Sequence, residues 1–231
     1  MSALSVTEHG DRHAFLARVT TRAARSYEPN VAHPLPASAF SEGEFVPIGY
    51  RSLDSGDLVG SFLRNAAVAL LDAHRVPVVD DGFLRAHIDA NEIRTAVVSS
   101  APAAVAIGLQ LAALGVAVEP YARDPAAVAD LGVTAPCFGI AATGSLVQDS
   151  SLDGGRGASL VPRLHLAVLP VSAIVGTTAD VFATFPVRPD GMPANIVLIT
   201  GPSRTGDIEM ILTVGVHGPT KVIVALTDRH E

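Results

Sequence analysis

The sequence predicts an α/β fold built on a mostly parallel sheet with helices on both faces. Three observations carry this. Short apolar runs of strand length alternate with longer helical patterns from residue 56 to the end. The strand-like runs are continuously apolar instead of alternating, as in sheets buried on both faces. The 231 residues are 48% hydrophobic and only 17% charged, enough to bury one sizeable core. That suits one domain over residues 55–231 with an N-terminal extension over residues 1–54.

The extension opens with a short amphipathic helix over residues 9–27, where Phe15, Val19 and Ala23 are four apart. Residues 28–50 hold four of the 16 prolines and read as a long surface connection. A lid or a partner-binding segment is the alternative to a passive linker there. Leu58, Val59, Phe62, Leu63, Ala66, Ala67, Leu70 and Leu71 then fall at helical spacing, with Asp54 or Ser55 as the expected cap.

Next come a strand at 76–80, a helix at 82–90 and a strand at 95–100. A helix at 102–115 follows, with Pro102 in its first turn and Gly115 at its end. A strand at 116–119 and a short helix at 124–132 are expected. Residues 138–147 read as strand broken by Gly144, and 164–170 as strand. Residues 177–185 read as helix, and 195–200 and 221–226 as strands.

Composition excludes several functions. The net charge of −7 argues against a non-specific nucleic-acid surface. No run of about 18 uncharged apolar residues suggests a membrane span. The first 15 residues lack the basic start and apolar stretch of a secretory signal, so the cytoplasm is the expected location. Cys137 is the only cysteine, which excludes an internal disulfide and a cysteine-ligated iron–sulfur cluster. No histidine pair has the spacing of a helical zinc site, and no metal or cofactor is expected.

In a parallel α/β sheet, ligands bind in the loops at the carboxyl ends of the strands. Four loops deserve weighing on that rule. Ser99-Ser100 precedes the helix at Pro102, and Ser100 reads as its cap in preference to an anion contact. Thr143-Gly144-Ser145 is either a backbone cradle for a carboxylate or phosphate, or a hairpin turn that needs its glycine. The stretch after strand 195–200 is Gly201-Pro202-Ser203-Arg204-Thr205. There Ser203 or Thr205 would cap a helix starting near Gly206. Arg204 would contact a planar anion or pair with Asp207 or Glu209. The acids exclude a simple phosphate loop. His217 and Gly218 lie in a glycine turn before the last strand, where His217 is either a structural turn residue or the best proton-transfer candidate.

Three segments in order carry more than spacing does. They are "GIAATGSLVQDS" (139–150), "SLVPRLHLAVLPVSAIV" (159–175) and "NIVLITGPSRTGDIEMILTVGVHGP" (195–219). Together they closely resemble the LUD family of lactate utilisation proteins, over roughly residues 55–227. The resemblance implies a three-layer fold like the ribose-phosphate isomerase, glucosamine-phosphate deaminase and CoA-transferase group (the NagB/RpiA/CoA-transferase-like fold). It also implies a part in oxidising L-lactate to pyruvate alongside iron–sulfur partner proteins, this chain being the subunit without a cluster. A small anionic ligand would contact Thr143, Gly144, Ser145, Gly201, Ser203, Arg204, Thr205 and Gly218. An alternative on the same fold is a stand-alone enzyme acting on a sugar phosphate, CoA ester or folate-type substrate. A third is a regulatory partner without a ligand. One position departs from the family: Ala142 stands where a glutamate usually precedes Thr-Gly. Covalent catalysis through a carboxylate of this motif is therefore disfavoured.

Overall fold

Most of the apolar runs form one six-stranded sheet in the computed structural model, which describes residues 53–151, 155–184, 193, 195–205, 213–214 and 218–228. The expected helix at 9–27 and the connection 28–50 lie outside them. The described residues belong to one unit that begins at Ile48.

The chain runs α1 (Leu58–Val68), β1 (Asp72–Val76), α2 (Asp81–Asn91), β2 (Thr95–Val98), α3 (Pro102–Ala113), β3 (Ala117–Pro120), α4 (Arg123–Val128) and β4 (Leu131–Thr134). It continues with β5 (Phe138–Ile140), β6 (Ser145–Asp149), α5 (Gly157–Leu160), β7 (Leu164–Pro170), β8 (Ile174–Val175), α6 (Thr178–Thr184) and β9 (Ile196–Ile199). The last strands are β10 (Arg204–Thr205), β11 (Thr213–Val214) and β12 (Lys221–Thr227).

The large sheet has the order β1-β12-β7-β4-β2-β3, and every adjacent pair in it is parallel. The two faces of its strands part the core cleanly, because successive side chains point to opposite sides. Leu164, Leu166, Val168, Ile223 and Ala225 pack with Leu84 of α2 and with Ala104, Ile107 and Leu111 of α3. Ala167, Leu169, Val222, Val224 and Leu226 pack on the other side with Phe62 and Ala66 of α1, and with Leu146, Ile174 and Ile199. The last three belong to a second, four-stranded sheet of order β8-β5-β6-β9.

That second sheet corrects the sequence reading. The strand near 195–200 is not a central strand of the parallel sheet. It is β9, the edge of the small sheet, antiparallel to β6. Local sequence cannot separate the two cases, because an apolar run fits either sheet. The strand expected at 76–80 is Asp72–Val76 instead. The helix expected at 124–132 stops at Val128, and Leu131–Thr134 is a fully buried strand of the parallel sheet.

Caps explain several boundaries. Asp57, not Asp54 or Ser55, caps α1 by accepting the Gly60 N–H at 2.8 Å. Asp80 does the same for α2 through the Phe83 N–H. Ala101, not Ser100, occupies the cap position of α3, and Pro102 at the start fits the expectation. Gly115, just past that helix, has φ +92°, the left-handed conformation that ends helices.

Asp130 fastens the start of β4 to that of β2. Its carboxylate accepts the N–H groups of Arg94 and Thr95 and the Thr95 hydroxyl, each at 3.0 Å, with Arg163 3.6 Å away. Burial opposes its ionisation, and these donors outweigh the burial, holding it below the ordinary carboxylate value.

Candidate functional site

The β5–β6 hairpin places the first expected loop. Ile140 and Ser145 face each other across it, and Gly144 turns the chain with φ +66°. A Cβ on Gly144 would overlap the backbone nitrogen of Ala66. The close backbone approach that this glycine permits is thus to α1, where Asn65 Nδ2 also donates to the Ala141 carbonyl at 2.7 Å. The loop is a hairpin turn that needs its glycine.

Ser145 ties the hairpin to the stretch after β9. Its buried hydroxyl is 2.7 Å from Thr143 Oγ1 and 2.7 Å from Thr200 Oγ1. Three hydroxyls therefore stand in a row, and the sequence reading had not singled out Thr200. Gly201 then takes φ +105°, a conformation open to glycine. The Ser203 N–H donates to the Pro219 carbonyl at 2.9 Å, joining this stretch to the glycine turn before β12. Gly218 lies against Ser203, and its added Cβ would come within 3.2 Å of Ser203 Cβ.

Arg204–Thr205 is a strand paired antiparallel with Thr213–Val214, where the sequence reading had placed a helix cap. His217 and residues 206–212, with Asp207 and Glu209, lie outside the described residues.

The stretch after β9 and the turn before β12 border a pocket of about 230 Å³, which Thr143, Gly144 and Ser145 do not line. Thr200, Gly201, Ser203, Gly218 and Pro219 form its polar side, Val197, Ile199, Leu160 and Val222 its apolar side, and Ser159 also lines it. Its place in the fold differs from the expectation. Gly218 to Thr220 lead into the amino end of β12, and the Thr220 N–H donates to the carbonyl of Arg163, which precedes β7. The pocket therefore opens at the amino ends of the parallel strands, not at their carboxyl ends.

Ala142 is fully buried with Ile140, Val147 and Val181 of α6, whereas Ala141 faces the space between the sheets with Leu146 and Ile199. Position 142 thus belongs to the apolar layer under α6, on the other face of the small sheet from Val197 and Ile199, which line the pocket.

Two buried polar side chains escaped the sequence reading. His165 on β7 is fully enclosed, with Nε2 2.8 Å from the Thr134 hydroxyl and Nδ1 without a partner. Burial pushes its pKa down to about 3, so the ring is neutral at ordinary pH. Gln148 on β6 is equally enclosed, and both its amide atoms lack a partner. His165 sits inside an apolar run and Gln148 at the start of a polar one, so no local pattern marks either as buried and unmatched. Among the described residues, no group of three or more His, Cys, Asp or Glu is placed to hold a metal ion. No described helix is long and apolar enough to cross a membrane.

A three-layer α/β domain with polar loops gathered beside a small accessory sheet is the class these features define. The LUD domain model matches residues 109–227, and the chain belongs to the LUD domain family. Over 105 residues it is 40% identical to lactate utilization protein C of Bacillus licheniformis, covering 44% of each chain. It is 39% identical to the Bacillus subtilis protein of that name over 105 residues, again 44% of each. It is also 36% identical over 95 residues to an uncharacterized protein of Neisseria meningitidis serogroup B, covering 41% of each. The chain thus spans under half the length of these curated relatives. A crystal structure of a DUF162 family protein from Deinococcus radiodurans superposes with a TM-score of 0.55 at 21% identity, covering 76% of this chain and 99% of that one. That likeness supports the α/β fold.

Proposed function

We propose that this chain is a cluster-free component of an L-lactate utilisation system, working in the cytoplasm beside iron–sulfur proteins that carry the electrons. In this reading residues 55–231 form the working domain, and residues 1–54 are an appended helix and connection. A small anionic ligand binds in the cleft where the Thr143–Ser145 hairpin, the Gly201–Thr205 stretch and Gly218 converge. The observation that supports it most is that the Thr200–Ser203 stretch and the Gly218–Pro219 turn line one pocket, joined by the Ser203 N–H to the Pro219 carbonyl, while Ser145 of the hairpin bonds Thr200.

Ser203 and the row of hydroxyls supply neutral donors, and Arg204 is the cation suited to a carboxylate. His217 is the candidate for proton transfer. A chain with one cysteine lacks the ligands for a cysteine-held iron–sulfur cluster of its own, which fits a place beside partners that carry one. The apolar setting of Ala142 weighs against a carboxylate nucleophile at that position.

Calorimetric titration with L-lactate and pyruvate tests the ligand. Binding should weaken at least tenfold in Arg204→Ala, and affinity unchanged by that substitution would refute the anion contact. Affinity capture from the native cell tests the partners: recovery of cysteine-rich iron–sulfur proteins is expected. Turnover by the purified chain alone, lost in His217→Ala, would favour the stand-alone enzyme instead.

A further inference from the structure

Two fully buried side chains with unmatched polar atoms, Gln148 and His165, lie on strands next to the wall of the pocket. Gln148 is the register partner of Val197 in the small sheet, and His165 is the register partner of Val222 in the parallel sheet. Paired residues of adjacent strands point to the same face. Val197 and Val222 both line the pocket, and both pack in the layer between the sheets. Gln148 and His165 therefore face that same layer from opposite sides, each beside a residue of the pocket wall.

Leaving such groups unmatched is costly, because a buried amide or imidazole forfeits its hydrogen bonds to water. A fold that needed only apolar contact at these positions would be served better by leucine or methionine. Gln148 offers one donor and one acceptor side by side. His165 offers one more group at Nδ1, its ring held by the Thr134 hydroxyl. No lysine or arginine is among the buried residues described, so a carboxylate carried to this depth would have no counter-charge.

We propose that the inner end of the pocket is a binding subsite for a neutral planar group bearing an adjacent hydrogen-bond donor and acceptor, such as a primary amide or the lactam edge of a heterocycle, read by Gln148 and His165. The subsite is distinct from the anion contact at the mouth. It would stand if the latter failed, since it rests on different residues and on a neutral ligand.

The test uses the full chain with nicotinamide and uracil as neutral probes and benzoate as a charged planar control. Saturation-transfer NMR and crystal soaks at high resolution are the readouts. Nicotinamide or uracil should bind, with the amide or lactam edge on Gln148, and benzoate should not reach this depth. Gln148→Met keeps the shape and removes both polar atoms; it should weaken probe binding at least tenfold and leave the melting temperature equal or higher. His165→Phe supplies the same readout should the first variant fail to fold. Ordered waters alone between Gln148 and His165 after soaking would overturn the proposal, as would probe binding unchanged in both variants. A melting temperature clearly lowered by Gln148→Met would also overturn it, since the amide would then have a structural partner.

Discussion

Two pockets at opposite ends of β12 differ in kind. At the carboxyl ends, a pocket is lined by Pro77, Val78, Val79, Ala103, Ile107, Ala135, Pro136, Val168, Pro170 and Thr227, with a single hydroxyl side chain among ten residues. At the amino ends, the pocket beside β12 gathers Ser159, Thr200, Ser203 and the glycines 201 and 218. The general rule for open α/β sheets points to the first end. Here the stretch that leaves the second sheet after β9 reaches the other end and gives that pocket Thr200 and Ser203. The lesson is that sheet topology offers positions, while the stretch that leaves β9 and the turn that enters β12 decide which position acquires donors and acceptors.

The comparison can be broken or sharpened by substitution. The largest effect is expected at the hairpin that supports the polar end. Gly144→Val should cost about 3 kcal/mol or more, from the positive φ and the overlap with the Ala66 backbone. Chemical denaturation measures it, and a loss below about 1 kcal/mol would show that the hairpin does not rest on α1. Ile107→Ala at the apolar end should cost about 2–5 kcal/mol by cavity formation. It should leave lactate or pyruvate affinity unchanged, and a tenfold weakening would mean that the two ends are coupled.

His165 makes an acid-sensitive contribution. Its folded pKa of about 3 lies below the ordinary value of 6.5. The unfolded chain therefore binds the proton first, and stability falls as pH drops from 6.5 toward 3. The slope is at most about 1.4 kcal/mol per pH unit from this group. Denaturation of wild type and His165→Phe at pH 7 and pH 5 should show the loss in the former and a smaller one in the latter. Equal pH dependence in both would refute the assignment. Ser145→Ala breaks the row of hydroxyls and should cost about 1–2 kcal/mol in melting experiments. Least of all, Arg75→Ala at the carboxyl end removes an exposed ion pair with Asp228 and should change stability by less than about 0.5 kcal/mol.

The parts of the fold that were legible are those in which local pattern and tertiary role coincide. β7 covers the expected 164–170 because a seven-residue apolar run sits in the middle of the parallel sheet. Leu131–Thr134 was missed because its Gly132 reads as a helix end. In the fold a side chain at that position would strike the Ala158 carbonyl, so the glycine serves strand-to-helix packing instead. Of the pocket's lining, Gly201, Ser203 and Gly218 were legible, because there turn residues interrupt apolar runs. Thr200, His165 and Gln148 stayed hidden. Each occupies a place in or beside a strand, and only the pairing of distant strands gives it a neighbour.

The hydroxyls of Thr143, Ser145 and Thr200 hold one more consequence. Two contacts of 2.7 Å join three rotors, and each oxygen has a single proton to give. When one O–H turns toward its neighbour, that neighbour must offer its lone pair and aim its own proton onward. The row accordingly has a polarity, and its members reorient together. Removing the Ser145 hydroxyl therefore cuts both contacts at once, which couples the packing of the hairpin tip to that of the stretch after β9.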